Sequence, residues 1–250
     1  MHEDSSFLED SSFPADSVSR DLFELTSAQQ GVWYGQLIDP DSPKYNIGEC
    51  LEIHGDLDEA LFAAALGRAV AHCDNLHLRF ETGDDGVRQY VTDRPAAGTG
   101  RVRLLDLSGA EDPAAEAESY MARDMATVDR LDAPSHHFAL LRLGPRLRYW
   151  YVRYHHIAID GLSGGTVNHL VADLYARAVR GEDIAAVDLP AASLRDLVAD
   201  ELAYLGSERH RADRAYWIDT FAGPTAGRGT DTADETGAAD TAGAASARGG

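Results

Sequence analysis

WYVRYHHIAIDGLSGG, residues 150–165, is the stretch from which the rest of the chain can be read. Its first half is dense in aromatic and β-branched residues, the composition of a strand. In a strand, His155 shares a face with Tyr151 and Arg153, and His156 shares the other with Val152 and Tyr154. The two histidines are therefore unequal: one points inward and the other outward or toward a cleft. After Asp160-Gly161 the chain is expected to pass through a glycine-rich loop into a helix. Loops at strand ends often carry catalytic groups, and a neutral histidine can accept a proton near neutral pH. Taken alone, the pair reads as a hydrogen-bonded structural pair or as the centre of a catalytic site. A zinc site needs at least three placed ligands. His136 and His137 could approach, but no Cys or Glu spacing supports one. Asp160 lies four residues after His156, which makes a ligand pair only on a helix. The preceding strand and Gly161 argue against a helix there, so no metal is expected.

Working outward, the residues after the glycines form the strongest helix in the chain. Val167, Leu170, Val171, Leu174, Tyr175 and Ala178 fall at i, i+3, i+4, i+7, i+8 and i+11, Arg177 and Arg180 occupy the last turn, and Gly181 ends it. Upstream, HHFALLRLGPRLRYWYVRYHH reads as two strands turning at Gly144-Pro145. DPAAEAESYMARDMATVDRL is a helix opened by Asp112 and Pro113. RVRLLDLS is a strand, and LHLRFE and VRQYVTD flank a hairpin turn at TGDDG. YNIGECLEIHGDL is a strand with Ile47, Leu51 and Ile53 on one parity. The helix that follows is expected to be capped by Asp56, with Glu59 three residues on, and to bury Leu57, Leu61, Ala64, Ala65 and Ala69. TSAQQGVWYGQL begins a helix capped by Thr26 or Ser27, and two further helices are expected near 193–206 and 208–222.

The chain has 250 residues and a formal net charge of −20. Such an acidic chain is not steered to nucleic acid or to anionic lipid. Two cysteines, Cys50 and Cys73, make no disulfide framework, which suits a reducing cytoplasm. No 18-residue apolar run is present, and the acidic N-terminus lacks the basic start and apolar middle of a signal peptide. Residues 1–21 are expected to be a disordered acidic segment, 22–222 a single domain, and 223–250 a disordered Ala/Gly/Thr/Asp-rich tail with no large apolar residue. Mixed strands and helices over 22–222 indicate an α/β or α+β layered sandwich, a mixed sheet covered by helices.

HHIAIDG resembles the HHxxxDG signature of condensation domains from nonribosomal peptide synthetases, in the chloramphenicol acetyltransferase-like superfamily. Three other segments agree in order: LTSAQQGVWYGQL is similar to the family's opening SxAQ…W segment, NLHLRF stands where it has LRTxF, and ADRAYW resembles its later Asp- and Trp-bearing helix. The siderophore-synthetase type looks nearest. The resemblance implies amide-bond formation between an upstream acyl or aminoacyl thioester and a downstream amine. Both substrates would arrive on 4′-phosphopantetheine arms of peptidyl or aryl carrier domains, with no cofactor bound directly. It implies that His156 is the general base or positions the amine, that His155 supports it, that Asp160 is structural and tied to an arginine, and that Gly161 allows close approach to a substrate tunnel.

Two departures from the family pattern stand out. His72 and His77 occupy the segment where the family carries arginines, leaving Arg79 as a substitute partner for Asp160. The resemblance also covers only the first of two lobes. A lone first lobe is expected to expose an apolar face and, lacking the far wall of the tunnel, to show little or no condensation activity. The implied partners are a second lobe or adjacent synthetase domains. A noncatalytic docking module and a CoA-dependent acyltransferase of the same superfamily are the alternatives, although the doubled histidine favours the synthetase reading.

Overall fold

The strands on either side of Gly144-Pro145 form the middle of a four-stranded sheet in the computed structural model, which describes residues 21–92, 102–190 and 193–222. Nearly all of the acidic segment 1–21 and the whole tail 223–250 lie outside the described residues. Strands β5 (His136–Gly144) and β6 (Leu147–His155) pair antiparallel, and β1 (Asn46–His54) runs antiparallel along the other edge of β6. β4 (Val102–Asp106) joins β5 in parallel, giving the order β1-β6-β5-β4 and a mixed sheet. Strands β2 (Leu78–Gly83) and β3 (Gly86–Val91) form a separate hairpin, where Gly86 takes φ +104° at the turn. Positive φ of this kind is readily adopted only by glycine.

Helices cover both faces of the sheet. α2 (Glu59–His72) and α4 (Gly161–Val179) pack on the face carrying Phe138, Leu140, Trp150, Val152 and Tyr154. α3 (Pro113–Met125) packs on the opposite face, against Ala139, Leu141 and Tyr151. β6 is therefore buried on both sides. This explains why its middle, Tyr149–Val152, is an unbroken run of aromatic and aliphatic residues rather than an alternation with polar ones. A third cluster, Phe23, Leu25, Leu78, Phe80, Ile157 and Ala158, is joined by Val32 and Trp33 of α1 (Ser27–Ile38) and by Leu194 and Val198 of α5 (Leu194–Leu205). The chain divides into two compact units, Met1–Glu201 and Leu202–Gly250. In the second, α6 (Glu208–Phe221) is capped by Ser207, and Tyr204 donates to Asp213 in the ADRAYW segment.

Three local expectations are corrected. α2 is capped by Asp58, whose carboxylate accepts from the Ala60 and Leu61 amides, whereas Asp56 pairs with Arg146. A cap at Asp56 would start the helix two residues earlier, in the stretch the chain uses to leave β1. With the start moved, the buried stripe is Phe62, Ala65, Leu66, Ala69 and Val70 rather than the one containing Leu61 and Ala64, both only partly buried. GLSGG is not a loop: Asp160 caps α4 and the helix begins at Gly161, so the glycines lie in its first turns. Gly164 is buried there against Ile159 and Tyr154. Small residues let the helix start close to the strand it has just left.

Candidate active site

β6 ends at His155, and the four residues that follow make a tight turn into the cap of α4. The strand's inner position buries His155, while His156 lies exposed one residue later. The pair is unequal as expected, but not by parity: both faces of β6 are buried, and His156 is exposed because it lies past the end of the strand, in the turn. The His156 amide donates to the Tyr45 carbonyl at 2.8 Å, and the His155 amide donates to the Ser135 carbonyl at 2.8 Å. Ala158 N–H closes the turn onto the His155 carbonyl at 3.0 Å.

The His155 ring is held on every side. Its Nδ1 accepts from Ile157 N–H at 3.2 Å, and its Nε2 lies 3.4 Å from Gln36 Oε1. The Tyr45 ring packs against it with centroids 6.0 Å apart. Burial pushes its pKa down to about 4, opposed by the nearby Asp129 carboxylate, with His156 and Arg153 adding to the depression. His155 is therefore neutral at cellular pH.

Beside the ring, on the same face of β6, Arg153 is sandwiched between two carboxylates. Its Nε donates to Asp124 at 2.6 Å and its Nη1 to Asp129 at 2.7 Å, while Tyr151 Oη–H donates to the same Asp124 oxygen at 2.8 Å. Asp124 lies in the last turn of α3, and Asp129 in the segment between α3 and β5. Asn46 pins the same region by donating to the Met125 and Thr127 carbonyls. The end of β6 is thus tied to α3, to β1 and to the 126–135 segment.

Helix α1 closes the other side. Gln29 and Gln36, seven residues apart, share one face. Gln29 Nε2 donates to the Ile157 carbonyl at 3.2 Å and to Gln89 Oε1 at 2.8 Å; Gln89 donates back to Gln29 Oε1 at 3.0 Å. The same Gln29 completes the capping box with Thr26. Gly35 lies so close to the Tyr45 hydroxyl that an added Cβ would fall 1.8 Å from it. None of Gln36, Tyr45, Gly35, Arg153 or Asp124 was identified as a site residue from sequence. The signal available was the opening TSAQQGVWYGQL segment, but its contact with the histidine turn spans more than a hundred residues of chain.

The other expected site residues are placed as follows. Asp160 caps α4 through Ser163 N–H at 2.8 Å. Hydrogen bonds from Ser163 hold its carboxyl below the usual range, and the neighbouring His156 adds to this. Its observed partner is the helix end and not Arg79: the Arg79 guanidinium donates to the Leu78 carbonyl and faces Tyr90 and Asp132. Gly161 is exposed and nothing lies within 4 Å of the position its Cβ would take, so no close approach to it is made within the described residues. His72 reaches the Pro190 carbonyl and His77 the Val70 carbonyl. His137 contacts the Tyr120 hydroxyl at 2.8 Å, and the half-buried His136 has its pKa pushed down to about 3 chiefly by desolvation of its ring. Among the described residues no group of three or more His, Cys, Asp or Glu side chains is arranged to hold a metal ion. No helix among them is long and apolar enough to cross a membrane.

α1 presents Tyr34, Leu37 and Ile38 to solvent, and the first turn of α4 presents Leu162. An open, mostly apolar cavity of about 790 Å³ flanks the start of α4, lined by residues including Cys73, Ile159, Ser163, Leu170 and Leu197. Chemically, the site offers one solvent-facing imidazole on a rigid turn, backed by a neutral buried imidazole.

A family model described as "Condensation domain" matches residues 19–236. The isonitrile lipopeptide synthase of Streptomyces coeruleorubidus is 41% identical over 199 residues, 79% of this chain and 13% of that protein. The dimodular nonribosomal peptide synthase of Bacillus subtilis (strain 168) is 36% identical over 206 residues, 82% of this chain and 8% of that protein. Among solved structures, a mutant starter condensation domain of the rhizomide synthetase RzmA in complex with C8-CoA superposes with a TM-score of 0.74 at 33% identity. That match covers 81% of this chain and 46% of the solved one. The chain therefore spans just under half of that solved protein and a small part of the curated relatives.

Proposed function

Because the chain belongs to the condensation-domain family, we propose that it supplies the histidine-bearing part of a domain that joins a thioester-bound acyl or aminoacyl group to an amine. The observation that carries this reading is the placement of His156: exposed, on a turn held by backbone hydrogen bonds to Tyr45 and within His155–Ala158, beside a neutral His155. A neutral imidazole at His156 would accept the proton of an attacking amine, or hold that amine by hydrogen bonding, as the carbonyl carbon of the thioester is attacked. The tetrahedral intermediate then collapses, expelling the thiolate of the donor arm. The proton removed from the amine is the one the thiolate regains. His155 does not exchange protons in this scheme; it supports the turn. Asp160 holds the first turn of α4 and with it the distance from His156 to the helix.

Both thioesters would be carried by 4′-phosphopantetheine arms of carrier domains, so no cofactor is bound by the chain itself. The carrier domains and the remainder of a condensation domain, or adjacent synthetase domains, are the expected partners. The apolar side chains exposed on α1 and at the start of α4 fit a surface covered by such a remainder. Without it water reaches His156 and dilutes the electrostatic preorganisation of the site. The 250-residue segment alone is therefore expected to have little or no condensation activity.

The test is a reconstituted reaction with loaded donor and acceptor carrier domains, using this segment joined to the remainder of a condensation domain. His156→Ala should abolish most product formation while leaving carrier binding intact. Undiminished product from His156→Ala would reject the assignment and favour a docking role.

A further inference from the structure

We infer that Gln36 is a positioning residue that fixes the tautomer of His155, and through it the turn that aims His156. The inference begins with the Gln36 side-chain amide, whose orientation is not free. Its Nε2 lies 3.0, 3.1 and 3.1 Å from the backbone carbonyls of Asp39, Pro40 and Ser42. Three acceptors around one end of the amide require the nitrogen there. The other end, Oε1, must then face His155 Nε2 at 3.4 Å. Two acceptors facing each other would repel, so Nε2 of His155 carries the proton and donates it.

The opposite side of the ring gives the same answer independently. His155 Nδ1 faces the Ile157 amide at 3.2 Å, and an N–H there needs a bare nitrogen as acceptor. Both neighbours therefore select one neutral form, with the proton on Nε2. A second proton on Nδ1 would place two donors face to face and break the hydrogen bond to Ile157. That bond and the Ala158-to-His155 bond define the turn, with His156 between them. Gln29, one face and seven residues back on α1, holds the Ile157 carbonyl of the same turn. Helix α1 thus grips the turn through its ring and through its backbone, on either side of His156. The carbonyls that orient Gln36 belong to the 39–42 segment leading from α1 to β1, so that segment also takes part in setting the tautomer.

The groups facing His155 are Asp129 from the segment after α3, Arg153 from β6 itself, His156 beside it, and the uncharged Gln36 and Tyr45 from the α1 side. A charge placed at Gln36 would therefore be felt directly.

The functional meaning of this lock rests on the reading of His156 given above, but its test does not. The full chain would be labelled with ¹⁵N-histidine, and ring nitrogen–proton correlations recorded between pH 5 and 8. The His155 ring is assigned by its disappearance in His155→Gln. In the unmodified chain His155 should show the Nε2–H neutral form throughout. Gln36→Glu should bring a doubly protonated His155 ring into view at the acidic end of that pH range, where the unmodified chain shows none, and speed exchange of the Ile157 amide by at least tenfold. Gln36→Met, which offers no acceptor, should lose the hydrogen-bonded Nε2–H signal. An Nδ1–H form in the unmodified chain overturns the proposal without recourse to any variant. Spectra of folded Gln36→Glu and Gln36→Met identical to the parent overturn it as well. Activity loss in His156→Ala tests the other reading and leaves this one untouched.

Discussion

Replacing Arg153 by methionine should be one of the most destabilising single changes at the histidine-bearing end of β6. The guanidinium is 6% exposed, and its two partners, Asp124 and Asp129, are 15% and 9% exposed. Methionine fills much of the same volume, so the packing loss is small. What remains is a pair of carboxylates out of water, one retaining the Tyr151 hydroxyl as a donor. Removing one partner of a buried ion pair typically costs about 3–5 kcal/mol, because the uncompensated charge stays behind. At about 2–4 °C per kcal/mol for a chain of this size, the midpoint of thermal unfolding should fall by roughly 6–20 °C. An internal comparison is available in Arg130–Asp132, with side chains 79% and 59% exposed. Arg130→Met should cost far less, since exposed pairs are largely screened. The assay is urea unfolding of the full chain at pH 7, with both variants in one buffer. Adding Asp124→Asn and Asp129→Asn to Arg153→Met should recover much of the loss, because the stranded charges are then gone. If Arg153→Met costs no more than Arg130→Met, the ion triad does not hold the 126–135 segment to β6 and the reasoning fails.

Asp160→Ala should cost about 1 kcal/mol through loss of the α4 cap, and Asp160→Asn much less, since Asn caps nearly as well; paired urea titrations distinguish this from an ion-pair role, in which both would lose alike. Stability should rise with pH between about pH 4 and 6.5, because His136 and His155 stay neutral when folded yet protonate when unfolded. Each contributes a slope of at most about 1.4 kcal/mol per pH unit in that window, and His155→Gln should flatten the profile between pH 5 and 6.5, above most carboxylate titration. Gly35→Ala should destabilise by about 1–3 kcal/mol by displacing the Tyr45 side chain from α1, and most of that cost should vanish in a Tyr45→Ala background, which a double-mutant cycle reads as coupling between the two.

Much of the architecture can be derived from the sequence because it is set by local periodicity. The α4 stripe, the β5–β6 hairpin, Asp112-Pro113 at the start of α3, and Gly181 at φ +81° closing α4 each follow from residues within a few positions of one another. The inequality of His155 and His156 does not follow from alternation, because β6 is buried on both faces and His156 owes its exposure to lying in the turn after the strand. The cap of α2 was misplaced by two residues because both Asp56 and Asp58 can cap a helix. The choice was made by the path of β1, which ends at His54, and by Arg146, which engages Asp56.

The sequence by itself determined that the histidine pair sits at the junction of a strand and a helix. It also determined the family through the spacing of HHIAIDG with the segments around it. Only the tertiary structure decided what holds that junction. Gln36 reaches His155 across 119 positions, Gln29 reaches Ile157 across 128, and Asp160 turned to the amide of Ser163 rather than to Arg79. Hydrogen bonds of this kind depend on distances of about 3 Å and on orientation. Residue order constrains neither until the chain has packed, which is why the motif was readable and its supports were not.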